Sequence, residues 1–140
     1  MSAFFDTNVF VYAIDASEPE KSRRAVELIE EHVLQGSLVL STQVLSEFFS
    51  VTTNRFRKRM DVDQAMRRVR DLSALPTVII DAAIILAAAH RTKADGLSYW
   101  DSLIVEAAIT AGAGTLFTEE MQDGRRFGAL EIVNPFRKNS

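Results

Sequence analysis

Apolar residues in this chain alternate between two patterns: short unbroken runs, and longer stretches in which they recur every three or four positions. The short runs are Phe4 and Phe5; Leu38, Val39 and Leu40; Val78, Ile79 and Ile80; Leu116 and Phe117; and Leu130, Ile132 and Val133 around Glu131. None is long enough for a helix. Continuous apolar character suits strands buried on both faces of a parallel sheet, and the β-branched run at 78–80 strengthens the assignment there. The last run, just before Asn134 and Pro135, reads as an edge strand.

The stretches between them have helical spacing. From Lys21 to Leu34, Ala25, Val26, Leu28, Ile29 and Val33 share a face while Glu27, Glu30 and Glu31 point outward, and Gly36 ends the helix. Tyr12 to Ala16 reads as loop or a short helix. Val44, Leu45, Phe48, Phe49 and Thr52 line a second helical face, Val62, Ala65, Met66, Val69 and Leu72 a third, and Pro76 stops the latter. An alanine-rich helix follows from Ala82 to His90, with a turn at Asp95 and Gly96. The helix opened by Ser98, Tyr99, Trp100 and Asp101 presents Trp100, Leu103, Ile104, Ala107, Ala108 and Ala111, and should be central and buried.

Strands alternating with helices predict an α/β fold: a mostly parallel sheet of four to five strands with helices on both faces and an arm of two helices over about 42–74. With 140 residues, 47% apolar composition and no linker-like stretch, residues 1–136 form one domain and the charged tail 137–140 is expected to fray. The lack of cysteine excludes disulfide and thiolate chemistry. No signal peptide or bilayer-length apolar run is evident, so a cytoplasmic location is the expectation. A net charge of −3 gives no whole-surface attraction for nucleic acid. However, Arg55, Arg57, Lys58, Arg59, Arg67, Arg68 and Arg70 place seven of the 16 basic residues in the arm, as either a phosphate-binding patch or a solvated helix face. His90 belongs to the surface or a helix cap, since no second His or Cys stands at metal-ligand spacing.

Candidate chemistry lies in the acids. Asp6 directly follows the first strand, where open α/β sheets place ligands, although Asp, Thr and Asn also start turns and helices. Glu47 sits at the rim of the second helical stripe. Asp101 lies in a first helical turn, three residues after Ser98, as in a capping box with a shortened partner. Glu120 follows the fourth strand. Right-handed crossovers bring all strand exits to one edge, so the four carboxylates can share a crevice. Such a cluster repels itself unless a divalent cation such as Mg²⁺ or Mn²⁺ neutralises it, and phosphodiester hydrolysis is the corresponding chemistry.

With these residues in place, the sequence resembles the PIN-domain family, specifically the VapC-like ribonuclease toxins of bacterial toxin–antitoxin pairs, over nearly the whole chain. Phe5, Asp6, Thr7, Asn8 is similar to the family's opening motif, Leu45, Ser46, Glu47, Phe48 to its internal helical acid, and Tyr99, Trp100, Asp101, Ser102, Leu103, Ile104 to its third acidic motif. Leu116, Phe117, Thr118, Glu119, Glu120 resembles the last motif, but Glu120 stands where the family commonly has Asp, which makes Asp123 a substitute source of the carboxylate. The resemblance implies a PIN-like three-layer α/β/α sandwich, Mg²⁺- or Mn²⁺-dependent endoribonuclease activity, homodimerisation, and inhibition by a cognate antitoxin. It implies that Asp6, Glu47, Asp101 and Glu120 are catalytic and hold metal, with Thr7, Asn8 and Thr118 supporting them. The basic arm would hold RNA phosphates.

Two other readings stay open. One is a non-catalytic RNA- or protein-binding module on the same fold, its acids serving as caps. The other is a phosphatase or receiver-like domain using Asp6 as nucleophile, against which Asn8 stands where a second Asp would be wanted.

Overall fold

A computed structural model describes residues 1–54 and 59–137. Among these residues, six helices and six strands follow in the order β1 (Ala3–Phe5), α1 (Thr7–Ala13), α2 (Pro19–Gln35), β2 (Leu38–Ser41), α3 (Thr42–Asn54), α4 (Val62–Ser73), β3 (Thr77–Val78), α5 (Ala82–Asp95), α6 (Tyr99–Thr110), β4 (Thr115–Phe117), β5 (Arg126–Phe127) and β6 (Leu130–Val133). The strands form one sheet in the order β3-β2-β1-β4-β6-β5, parallel except for β5. Helices cover it as a three-layer α/β/α sandwich. No helix among the described residues is long and apolar enough to cross a membrane.

The unbroken apolar runs become the sheet because both of its faces are covered. Phe4, Phe5, Leu40, Leu116, Leu130 and Ile132 are fully buried, as are Leu28 of α2 and Phe48 of α3. The Phe5 ring meets Phe10, His32 and Phe117 at centroid distances of 5.8, 5.4 and 5.2 Å. Central β1 pairs with β2 on one side and β4 on the other, with Phe5 opposite Phe117. The chain therefore winds in opposite directions from β1, and the crevice between the carboxyl ends of β1 and β4 is the topological switch point at which such sheets bind ligands.

Several details depart from the sequence pattern. The sheet has six strands because Arg126–Phe127 folds back on Leu130–Val133 as an antiparallel hairpin. It turns through Gly128 at a φ of 62°, a left-handed conformation that glycine adopts without strain. β6 is therefore interior and β5 is the edge; two residues with no apolar run left no periodic signal. Helix α1 starts at Thr7, directly after β1, because Asp6 caps it. Ile79 lies outside the third strand and is 72% exposed. Trp100 is 65% exposed, since the buried face of α6 runs through Ser102, Leu103, Ile104, Val105, Ala107 and Ala108. Both helices expected over 42–74 are present, and α3 buries Val44, Phe48 and Thr52 in the body of the protein. Of the tail, Arg137 is held by an ion pair with Asp123 at 2.8 Å; 138–140 lie outside the described residues.

Candidate active site

Asp6 is set by the β1–β4 register. Its backbone N–H donates to the Phe117 carbonyl at 3.0 Å, carrying the ladder one step beyond both strands. The side chain is 3% exposed. Its Oδ1 accepts from the Thr7 N–H at 2.7 Å and its Oδ2 from the Thr118 hydroxyl at 2.8 Å. Helix cap and site acid are therefore one residue. Burial is the largest influence on its carboxyl and pushes its pKa up to about 7; the two hydrogen bonds oppose the shift, while the charges of Glu120 and Glu47 add to it.

Thr118, fully buried, is the hub of the crevice. Besides donating to Asp6, its oxygen accepts from Asn8 Nδ2 at 3.2 Å and from the Glu120 N–H at 3.1 Å. Asn8 Oδ1 in turn accepts from the Glu119 N–H at 3.2 Å, so Asn8 ties the start of α1 to the turn after β4. That turn separates the two adjacent glutamates. Glu119 is drawn away by the Tyr12 hydroxyl at 2.6 Å and Lys21 Nζ at 2.7 Å. Burial opposes its ionisation, but these two bonds outweigh it and hold its carboxyl below the ordinary range. Glu120 keeps solvent contact at the rim. Partial desolvation there raises its carboxyl, with the charges of Asp101, Glu47 and Glu119 adding to the effect.

Glu47 reaches the crevice from α3. Its Oε2 accepts from the Thr7 hydroxyl at 3.2 Å and its Oε1 from Gln43 Nε2 at 2.7 Å. Asp101 arrives in the first turn of α6, where its N–H donates to the capping Ser98 hydroxyl at 3.1 Å. A groove of about 760 Å³ opens beside Glu47, walled by Gln43, Ser46, Ser50, Tyr99 and Trp100. Asp6 thus feels the charges of Glu47 and Glu120, and Glu120 those of Glu47 and Asp101, and no ion pair among the described residues supplies any of the four with a cation.

An all-carboxylate set with a buried, proton-retaining acid suits a hard divalent cation in chemistry and in charge. As the side chains stand, no three acids or histidines among the described residues close around a single point, and Gln43 and Thr7 hold the Glu47 carboxylate. Asp123, the substitute source of a carboxylate, is engaged elsewhere. Its Oδ1 accepts from the Asn134 N–H and its Oδ2 from Arg137 Nη1, both at 2.8 Å, so it fastens the end of β6 instead. Arg59, Arg67, Arg68 and Arg70 are exposed and form no ion pair with other described residues; Arg55, Arg57 and Lys58 lie outside the described residues. The residue that sequence reasoning missed is Gln43. Its signal was the spacing of four from Glu47, which puts both on one helical face.

The profile of the PIN domain matches residues 3–123, and the chain belongs to that family. Among solved structures, the fold is similar to a toxin–antitoxin complex from Klebsiella pneumoniae, with a TM-score of 0.74, 19% identity, and coverage of 98% of this chain and 100% of that one. It is also similar to VapBC2 from Rickettsia felis bound to a DNA fragment from its promoter, with a TM-score of 0.63, 21% identity, and coverage of 94% and 97%. A third likeness is to Mycobacterium tuberculosis VapC20, described as a sarcin–ricin loop cleaving toxin, with a TM-score of 0.63, 16% identity, and coverage of 82% and 87%. No curated protein matches the sequence.

Proposed function

We propose that this PIN-domain protein is a metal-dependent endoribonuclease, the toxin of a toxin–antitoxin pair. The observation that carries the reading is the buried Asp6 carboxylate at the β1–β4 switch point, under the charges of Glu47 and Glu120, with no ion pair among the described residues to balance them. Asp6, Glu47, Asp101 and Glu120 would hold Mg²⁺ or Mn²⁺. Bound there, a divalent cation would polarise the scissile phosphate and acidify a water. Thr118 and the Thr7 N–H fix the Asp6 oxygens, Thr7 and Gln43 fix Glu47, and Asn8 keeps the turn carrying Glu120 against α1. Glu120, exposed at the rim of the crevice, would be placed to take the proton of the attacking water. Arg59, Arg67, Arg68 and Arg70, with Arg55, Arg57 and Lys58, bind phosphates of the RNA substrate. Pairing with an antitoxin is supported by the fold's likeness to chains of a toxin–antitoxin complex and of VapBC2. For homodimerisation, the exposed Ile79, Ile85, Leu86 and Trp100 offer an apolar surface.

The test is cleavage of a mixed RNA pool by purified wild type and Asp101→Asn, each with Mg²⁺, Mn²⁺ or chelator. Cleavage by wild type with metal alone, with at least a hundredfold loss in Asp101→Asn at an unchanged circular dichroism spectrum, is the expected result. The non-catalytic binding module has in its favour that no three acids among the described residues close around one point. RNA binding without cleavage in any metal would select it.

A further inference from the structure

Glu47 and Asp101 sit on different helices, so their mutual position depends on how α3 meets the first turn of α6. One side chain spans that junction. Gln43 Nε2 donates both to Glu47 Oε1 at 2.7 Å and to the Trp100 carbonyl at 3.2 Å, one residue before Asp101. Both partners are acceptors, so only the NH₂ end of the amide can serve them and its orientation is fixed. The consequence is visible at the other end: Gln43 Oε1 is the one buried side-chain polar atom among the described residues without a hydrogen-bond partner. Buried acceptors are rarely left so, and the two donated bonds are what keep this one in place. The second Glu47 oxygen is held by Thr7, the neighbour of Asp6.

We propose that Gln43 is a positioning residue, which orients the Glu47 carboxylate and locks α3 to the turn carrying Asp101, so that divalent-cation affinity depends on it. The proposal rests on the metal-dependent nuclease reading above. Partners that orient metal ligands from behind typically influence affinity by about 10- to 100-fold. The same relation applies to Gln43, which touches Glu47 without belonging to the acid set.

The test uses Mn²⁺ binding to the intact protein, read by electron paramagnetic resonance of the free ion. Gln43→Met keeps the length and shape of the side chain and removes both bonds; Gln43→Asn keeps the amide but is too short to bridge. Each is expected to weaken Mn²⁺ binding about tenfold with little change in Tm. In a Glu47→Gln background, Gln43→Met is expected to cost clearly less affinity than in wild type, since part of its effect passes through Glu47. Wild-type affinity in Gln43→Met, or an equal loss in both backgrounds, would overturn the proposal while leaving the metal site standing. Absence of Mn²⁺ binding by wild type would overturn the metal-site reading and this proposal with it.

Discussion

Asp6 does two jobs that pull against each other. Capping α1 and closing on Thr118 require it at the end of β1, and that position takes its carboxyl out of water. A rise from 3.8 to about 7 corresponds to roughly 4 kcal/mol between protonated and ionised forms. Because the folded value is raised, the metal-free fold is favoured while Asp6 keeps its proton, and stability falls as pH climbs from about 4 through 7. In chelator, the Tm of Asp6→Asn should therefore gain on wild type between pH 5 and pH 8, by on the order of 5 °C or more; a gap that stays constant with pH would contradict it. Candidate acids could be read from the sequence because an acid after an apolar run, or in a first helical turn, has a local signature. Thr118 as hub could not, because its bond to Asp6 joins positions 112 apart. Nor could local pattern separate Glu119 from Glu120; Tyr12 and Lys21, at the far end of the fold's sequence, make that choice.

The same division holds for the secondary structure. Helices with a clear apolar stripe and strands with a continuous apolar run announced themselves, since burial imposes those periods. The β5 hairpin did not, having only Arg126 and Phe127, and neither did the start of α1, where Thr7, Asn8, Val9 and Val11 are weak helix formers. Asp123 shows how an acid close to the site in sequence can serve an element instead. By accepting from Asn134 and Arg137 it fastens the end of β6, and its carboxyl is held below the usual range, first by the Asn134 N–H and then by Arg137. Asp123→Asn should lower stability at neutral pH by about 1 kcal/mol, measured by urea unfolding, with RNA cleavage unchanged. Its deficit should shrink as pH falls through the carboxylate range, because a lowered folded value gives stability above the unfolded pKa that acid removes. Loss of cleavage at unchanged stability would instead place Asp123 in the acid set.

Taken together, the fold explains why acids spread from position 6 to position 120 face one crevice. Parallel strands joined by helical crossovers bring the exits of β1 and β4 side by side, and α3 and α6 each enter the crevice by an early turn. The βαβ rhythm made that edge foreseeable; the order of six strands and the Gln43 bridge needed coordinates. In the proposed reaction these carboxylates, with a divalent cation, direct water at an RNA phosphate. The chemistry of the cut ends tests this most directly. RNA cleaved by wild type in Mg²⁺ or Mn²⁺ should carry plain phosphate and hydroxyl ends, with no cyclic phosphate, and the cut should vanish in chelator. Cyclic phosphate ends, formed when the neighbouring ribose hydroxyl attacks without such a water, or cleavage that survives chelator, would contradict it.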